Sequence, residues 1–154
     1  MDERIKRLDT PKKCEIFARN ASERRRPDLA LEAIQRAVEI RALEYGAETP
    51  AEIEALQAVY AYEELLTKKN GRRTPASRTW QMINRHGVIE AAERAVKRDA
   101  APQGYTLLEE MGLQEFAFEA VILRHPKVFS EEAKRVWQLR LKEWSDPSGK
   151  LDSD

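Results

Sequence analysis

The sequence has little of what a secreted or membrane-spanning protein needs. Its single cysteine, Cys14, excludes an internal disulfide framework and a thiolate zinc cluster, and it fits a reducing compartment. The amino terminus, MDERIKRLD, is charged and has no apolar core, unlike a signal peptide. The longest apolar runs, 58–62 and 120–123, are too short to cross a bilayer. We therefore expect a cytoplasmic protein with no membrane partner.

The usual constellations of catalytic or metal-binding residues are also missing from the sequence. Its two histidines, His86 and His125, have no further ligands at a matching spacing, so we expect no metal. Its six glycines are scattered singly, so there is no glycine-rich phosphate loop. Glu115 and Glu119 are better explained as an exposed stripe of an apolar helix than as paired catalytic carboxylates. We predict no cofactor and no enzymatic activity.

The chain carries 27 basic and 27 acidic residues, and its formal net charge is zero. Such a balance argues against a protein that attracts polyanions over its whole surface. Any binding of nucleic acid must therefore depend on charge segregated onto one face. The composition, 42% hydrophobic and 35% charged, is that of a folded helical protein.

Residues that begin and end helices recur along the chain. They predict an all-α fold, a compact bundle of about seven or eight short-to-medium helices. Three Thr-Pro pairs, at 10–11, 49–50 and 74–75, each offer a threonine N-cap followed by proline at the first helical position. No segment alternates with the period of two that a strand requires. We expect the most apolar helix, 113–124, to lie at the centre of the core.

We predict one helical domain over residues 1–144 and a disordered tail over 145–154. A division into halves 1–98 and 105–144 is the alternative, because DAAPQGY (99–105) has the composition of a boundary. The helix pair over 11–45 resembles a tetratricopeptide unit, but no second copy follows at a period near 34. We therefore predict a simple antiparallel helix hairpin there.

The most distinctive stretch is 67–89, TKKNGRRTPASRTWQMINRHGVI. It contains no acidic residue, although the average composition would place about four acids there. It does contain six cations: Lys68, Lys69, Arg72, Arg73, Arg78 and Arg85. Charge of one sign is thus concentrated in one part of a chain that is neutral as a whole.

The second half of this stretch predicts an amphipathic helix with two different faces. Trp80 and Ile83 fall on one side, together with Ala76, and would anchor the helix in the core. The other side carries the types of side chain that contact base edges: Ser77, Arg78, Gln81 and Arg85. A helix over 50–69, a glycine turn and this polar helix match the outline of a helix-turn-helix unit near the middle of the chain.

We therefore expect a nucleic-acid-binding module whose basic surface is formed by Lys68, Lys69, Arg72, Arg73, Ser77, Arg78, Gln81 and Arg85, with His86 adding phosphate attraction. The partner is left open between DNA and RNA. The same residues also fit an ordinary solvated surface or a site for an acidic protein. The alternative function is an adaptor that binds another protein through the N-terminal hairpin or the last helix. The sequence leaves the oligomeric state open.

Overall fold

A computed structural model describes residues 1–98 and 103–145 of this chain. Within these ranges the regular secondary structure is helix, with no strand, which confirms the all-α prediction. The tail prediction falls on residues of which only 145 is described. The predicted boundary at 99–105 likewise lies largely outside the described residues.

The described residues form nine α-helices, against the seven or eight expected, and one short 3₁₀ helix over Gln114–Phe116. The α-helices are α1 (Glu3–Lys6), α2 (Pro11–Glu23), α3 (Pro27–Tyr45), α4 (Pro50–Asn70), α5 (Ser77–His86), α6 (Val88–Arg98), α7 (Gln103–Glu110), α8 (Phe118–Arg124) and α9 (Glu131–Ser145). None of the helices in this part of the chain is long and apolar enough to cross a membrane.

Two of the three predicted Thr-Pro caps are confirmed. Thr10 accepts a hydrogen bond from the backbone N–H of Lys13 at 3.1 Å, at the start of α2. Thr49 accepts one from the N–H of Glu52 at 3.2 Å, at the start of α4. Each bond satisfies a backbone donor that has no partner inside the helix.

The third cap prediction is wrong. Thr74 and Pro75 lie in the loop before α5, which begins at Ser77. The Thr74 hydroxyl donates to the carbonyl of Arg72, and the Thr74 N–H donates to the hydroxyl of Thr67. Thr74 therefore stabilises the loop, because its hydrogen bonds join it to Arg72 and Thr67, which precede it in the chain, and not to the backbone of α5.

The prediction that 113–124 forms one central helix is also wrong. Ala117 has an extended backbone, with φ −64° and ψ 147°, and separates the 3₁₀ helix from α8. Leu113 and Phe116 pack in one core cluster, whereas Val121 and Ile122 pack in another beside Trp137. An apolar run does not reveal such a break, because both halves are buried. The central element is α4, which contacts α3, α6, α7, α8 and the 3₁₀ helix.

The hairpin predicted at the N-terminus is present, since α2 and α3 make the most extensive contact between any two helices described. Small residues line the interface: Ala18, Ala21, Ala30 and Ala33 are all buried. Cys14 is fully buried near Ala37, and burial raises the pKa of its thiol. Cys14 thus serves packing, as expected from its apolar face.

Candidate nucleic-acid interface

The start of α5 is held by one buried carboxylate on α4. Oε2 of Glu63 accepts a hydrogen bond from the backbone N–H of Ala76 at 2.8 Å and another from the indole Nε1–H of Trp80 at 2.8 Å. Glu63 is only 4% exposed. One side chain of α4 thus binds both the end of the loop before α5 and the first turn of α5.

Sequence reasoning missed Glu63, although a signal was present. Leu56, Val59 and Glu63 follow one another at the three- and four-residue steps of a single helix face, and all three are buried. A charged residue at a position of a buried stripe needs partners, because burying a carboxylate without them is costly. Its position in the stripe thus indicated a polar contact with a neighbouring element.

Arg73 lies against the same carboxylate. Its guanidinium is 3.5 Å from Oε1 of Glu63, 3.0 Å from Oε1 of Glu64 and 4.0 Å from Oε1 of Glu15 on α2. The sequence pattern assigns Arg73 to the nucleic-acid surface, but acids from two other helices surround it. The positive charge of Arg73 is thus largely offset within the protein.

The two faces predicted for α5 are present. Ala76 and Ile83 are buried, and Trp80 is half-buried between the rings of Tyr45 and Tyr60, with centroids at 5.7 and 5.3 Å. The side chains of Ser77, Arg78, Gln81 and Arg85 are exposed on the other side. The aromatic anchor on one face therefore directs the polar residues outward.

Much of the polar face lines a concave surface, here called the basic cleft. It is bounded by α5 and α6 and has a volume of about 360 Å³. Its lining residues are Arg78, Gln81, Met82, Arg85 and His86 from α5 and Arg94 from α6. Three of the predicted site residues, Arg78, Gln81 and Arg85, are thus brought together, and Arg94 joins them.

Sequence reasoning missed Arg94 because it lies beyond the acid-free stretch, in a helix that also carries acids. The backbone corner at Gly87 connects α5 to α6 through a single residue, with φ +86° and ψ 168°. This conformation is essentially restricted to glycine. The corner turns α6 so that its Arg94 reaches the cleft lined by α5.

One carboxylate borders the basic cleft. Glu90 binds Nη2 of Arg94 at 3.2 Å, and its other oxygen is 3.7 Å from Nδ1 of His86. Arg78 and Arg85 form no ion pair with any residue in the described ranges. Within this part of the chain no carboxylate neutralises their guanidinium groups, which are suited by their charge to an anion from outside the protein.

The other predicted site residues lie outside the cleft. Lys68 and Lys69 are exposed on the last turn of α4, Arg72 is exposed in the loop, and Ser77 is exposed at the start of α5. Lys68, Lys69 and Arg72 form no ion pair within the described part of the chain. They can add attraction for an extended anion, but they do not line the concave surface.

The helix-turn-helix geometry itself is not confirmed. The backbone of α5 has its most extensive contact with α6, and the backbone of α4 contacts α6 and α8 more extensively than it contacts α5. The polar face of α5 is therefore one wall of a cleft between α5 and α6. A recognition helix, by contrast, lies in the major groove and contacts base edges with its N-terminal residues.

A second cleft, of about 270 Å³, is mainly acidic and lies on α3, α4 and the 3₁₀ and α8 helices. Glu54 there accepts hydrogen bonds from Arg124, at 2.6 Å, and from His125. Burial alone would raise the pKa of Glu54, but the hydrogen bonds and the positive charges of His125 and Arg124 together outweigh burial and lower it. Within the described residues, no three His, Cys, Asp or Glu side chains are grouped to hold a metal ion.

Guanidinium groups grouped around a cleft are suited to phosphate, which they bind through paired N–H donors. No protein-family model, curated protein or solved structure matches this chain. The function of the protein must therefore be inferred from the chemistry of the basic cleft.

Proposed function

We propose that this protein is a non-enzymatic module that binds nucleic acid, DNA or RNA, through the basic cleft and the cations beside it. The observation that carries the proposal is the pair Arg78 and Arg85, which line one cleft and form no ion pair among the described residues. Binding of phosphates by such groups releases condensed counterions, which favours association. The single, buried Cys14 supports a reducing, cytoplasmic setting.

Exposed cations beside the cleft extend the proposed surface. Lys68 and Lys69 follow one another at the end of α4, and Arg72 lies in the loop that leads to α5. These residues would contact successive phosphates, whereas Gln81 in the cleft can donate to and accept from a base or a sugar. Arg73 has a different role, since its ion pairs with Glu63 and Glu64 hold the loop in place.

The test measures binding to a random double-stranded DNA and to a single-stranded RNA at two salt concentrations, by fluorescence anisotropy. A variant with Arg72, Arg78 and Arg85 replaced by alanine is compared with the intact protein. The matched control replaces three exposed arginines of the N-terminal hairpin region, Arg7, Arg19 and Arg24, and changes the net charge equally. We expect affinity that falls steeply with salt, a loss of roughly a hundredfold in the first variant and a much smaller loss in the control.

The alternative function, an adaptor for another protein, is supported by exposed apolar side chains on the N-terminal hairpin. Leu43 is 62% exposed and Tyr45 is 47% exposed at the end of α3, and Ile16 on α2 is also exposed. Aromatic residues such as Tyr45 are enriched at the centres of protein interfaces, and the exposed aliphatic residues beside it would add apolar contact area. Absence of nucleic-acid binding even at low salt would overturn the first proposal and favour this one.

A further inference from the structure

The basic cleft has an excess of positive charge within its own walls. Arg78, Arg85 and Arg94 supply three guanidinium groups, and among the described residues Glu90 supplies the one carboxylate that pairs with a residue of the lining. This leaves a net charge of two positive units before His86 is counted. A ligand that carries two negative charges on one group would balance it.

The size and composition of the cleft indicate a ligand larger than a simple ion. Its volume of about 360 Å³ lies at the lower end of the roughly 300–1,000 Å³ found for small-molecule sites. Met82 gives the lining an apolar surface and packs on the same core cluster as Trp80. Gln81 adds a neutral donor and acceptor beside the guanidinium groups. Such a site has room for a phosphate together with an attached sugar.

We infer that the basic cleft binds a phosphate monoester, as found at the phosphorylated end of a nucleic-acid strand or in a free nucleotide. This inference rests on the proposed function and specifies which part of the ligand the cleft selects. A monoester carries about −1.5 to −2 charges near neutral pH, whereas an internal phosphodiester carries one. The monoester therefore matches the net charge of the cleft, and a strand end can enter a concave site that an internal phosphate of a duplex reaches less readily.

Arg94 is central to this selection because it closes the cleft from the second helix. Its guanidinium is held by Glu90 at 3.2 Å, which fixes its direction without removing the excess charge of the cleft. Its side chain is 50% exposed, so its replacement by glutamine should leave the fold intact. Arg94 also lies outside the acid-free stretch, which separates its contribution from general attraction by that stretch.

The experiment compares one short single-stranded oligonucleotide in three forms: with a 5′-phosphate, with a 3′-phosphate and with hydroxyl groups at both ends. Binding to the full chain is followed by fluorescence anisotropy at a low and at a higher salt concentration, which are the same for all three forms. We expect one phosphorylated form to bind at least about tenfold more tightly than the hydroxyl form, since a hydrogen-bonded charge contributes roughly that much. Arg94→Gln should remove this preference, and Arg19→Gln, on the exposed surface of α2, should retain it.

Competition identifies the source of the monoester. A nucleoside monophosphate that displaces the phosphorylated strand at a similar concentration, while the nucleoside does not, would support a free nucleotide as the ligand. Weak displacement would support the strand end. Because Arg94→Gln could disturb α6, its thermal unfolding is recorded, and Arg85→Gln serves as a second variant with the same expected loss of preference.

Two results would overturn the inference, and they differ in what they say of the proposed function. Equal, salt-sensitive binding of the phosphorylated and hydroxyl strands would show that the cleft does not select a monoester, while nucleic-acid binding itself would stand. Absence of binding by every strand at low salt would overturn both.

Discussion

Arg73 and Arg78 belong to the same acid-free stretch, yet their surroundings are opposite. Arg73 lies within 4.0 Å of carboxylates from Glu15, Glu63 and Glu64, on two helices that are remote in sequence from each other. Arg78 lies in the basic cleft and has no ion pair within the described ranges. Arg73 is held by ion pairs within the protein, and we propose that Arg78 binds the ligand.

The difference teaches that a run of cations in a sequence is not a measure of the charge offered at a surface. Tertiary contacts bring acids from other helices to some of the cations, and other cations have no counter-ion among the described residues. The compensated group, Arg73 with Glu63, orients α5, and the uncompensated group, Arg78 with Arg85, then faces the cleft. We therefore expect separate roles for the two groups, in stability for the first and in the proposed binding for the second, which mutations can separate.

Removal of Glu63 should have the largest effect, because the compensated group depends on it. Glu63→Ala leaves the buried N–H of Ala76 and the indole N–H of Trp80 without their acceptor. We expect the free energy of unfolding to fall by about 3 kcal/mol, measured by urea unfolding. The matched control, Glu64→Ala, removes a carboxylate that binds Arg73 but neither N–H group, and should cost about 1 kcal/mol or less. Equal losses in the two variants would contradict the central role of Glu63.

Replacement of Gly87 should have the second-largest effect, because this residue sets the angle between α5 and α6, the two walls of the cleft. Gly87→Ala places a side chain at φ +86° and ψ 168°, and should lower the free energy of unfolding by about 2 kcal/mol. It should also weaken nucleic-acid binding, since Arg94 would no longer face Arg78 in the same way. Gly71→Asn is the control: its φ of +71° and ψ of 11° are left-handed values that asparagine tolerates. A stable Gly87→Ala protein with unchanged affinity would argue against the corner as the determinant of the cleft.

Single replacements of Arg73 and Arg78 test the comparison between these two residues directly. Their effects should be smaller. Arg73→Gln should lower the free energy of unfolding by about 1 kcal/mol and leave the salt dependence of binding unchanged. Arg78→Gln should leave stability within about 0.5 kcal/mol and lower the slope of log K against log salt by about 0.7–0.9, the value of one phosphate contact. Urea unfolding and anisotropy titrations on both variants check this. A lower salt slope for Arg73→Gln would place Arg73 on the binding surface.

The smallest effect on stability is expected at acidic pH and concerns Glu54, the carboxylate of the second cleft that binds Arg124 and His125. Although burial opposes it, hydrogen bonds from His125 and Arg124 lower the pKa of Glu54 below its ordinary value of 4.5. The stability that Glu54 contributes is therefore fully present above the pKa of the unfolded chain, and it is lost as the pH falls through the folded value. Between neutral pH and about pH 3.5, the intact protein should lose more stability than Glu54→Gln. Urea unfolding at both pH values, with Glu115→Gln from the same cleft as the control, tests this.

Local patterns are sufficient to predict much of the helical architecture. The caps at Thr10 and Thr49 and the two faces of α5 depend on residues close in the chain, and the sequence predicts each of them. It does not predict the break at Ala117, because periodicity reports burial and both sides of that break are buried. The sequence also does not predict where α5 begins, because its start is held by Glu63, a residue of another helix.

For the candidate site, the sequence by itself determined that Arg78, Gln81 and Arg85 share one face of a helix, since helical spacing alone requires it. Only the tertiary structure decided that Arg73 is compensated and that Arg94 joins the cleft. Pairing of charges depends on distances of a few ångströms between atoms of different helices, and those distances are set by how the helices pack. The sequence specifies which residues are charged, and the packing of the helices determines which of them form ion pairs with one another.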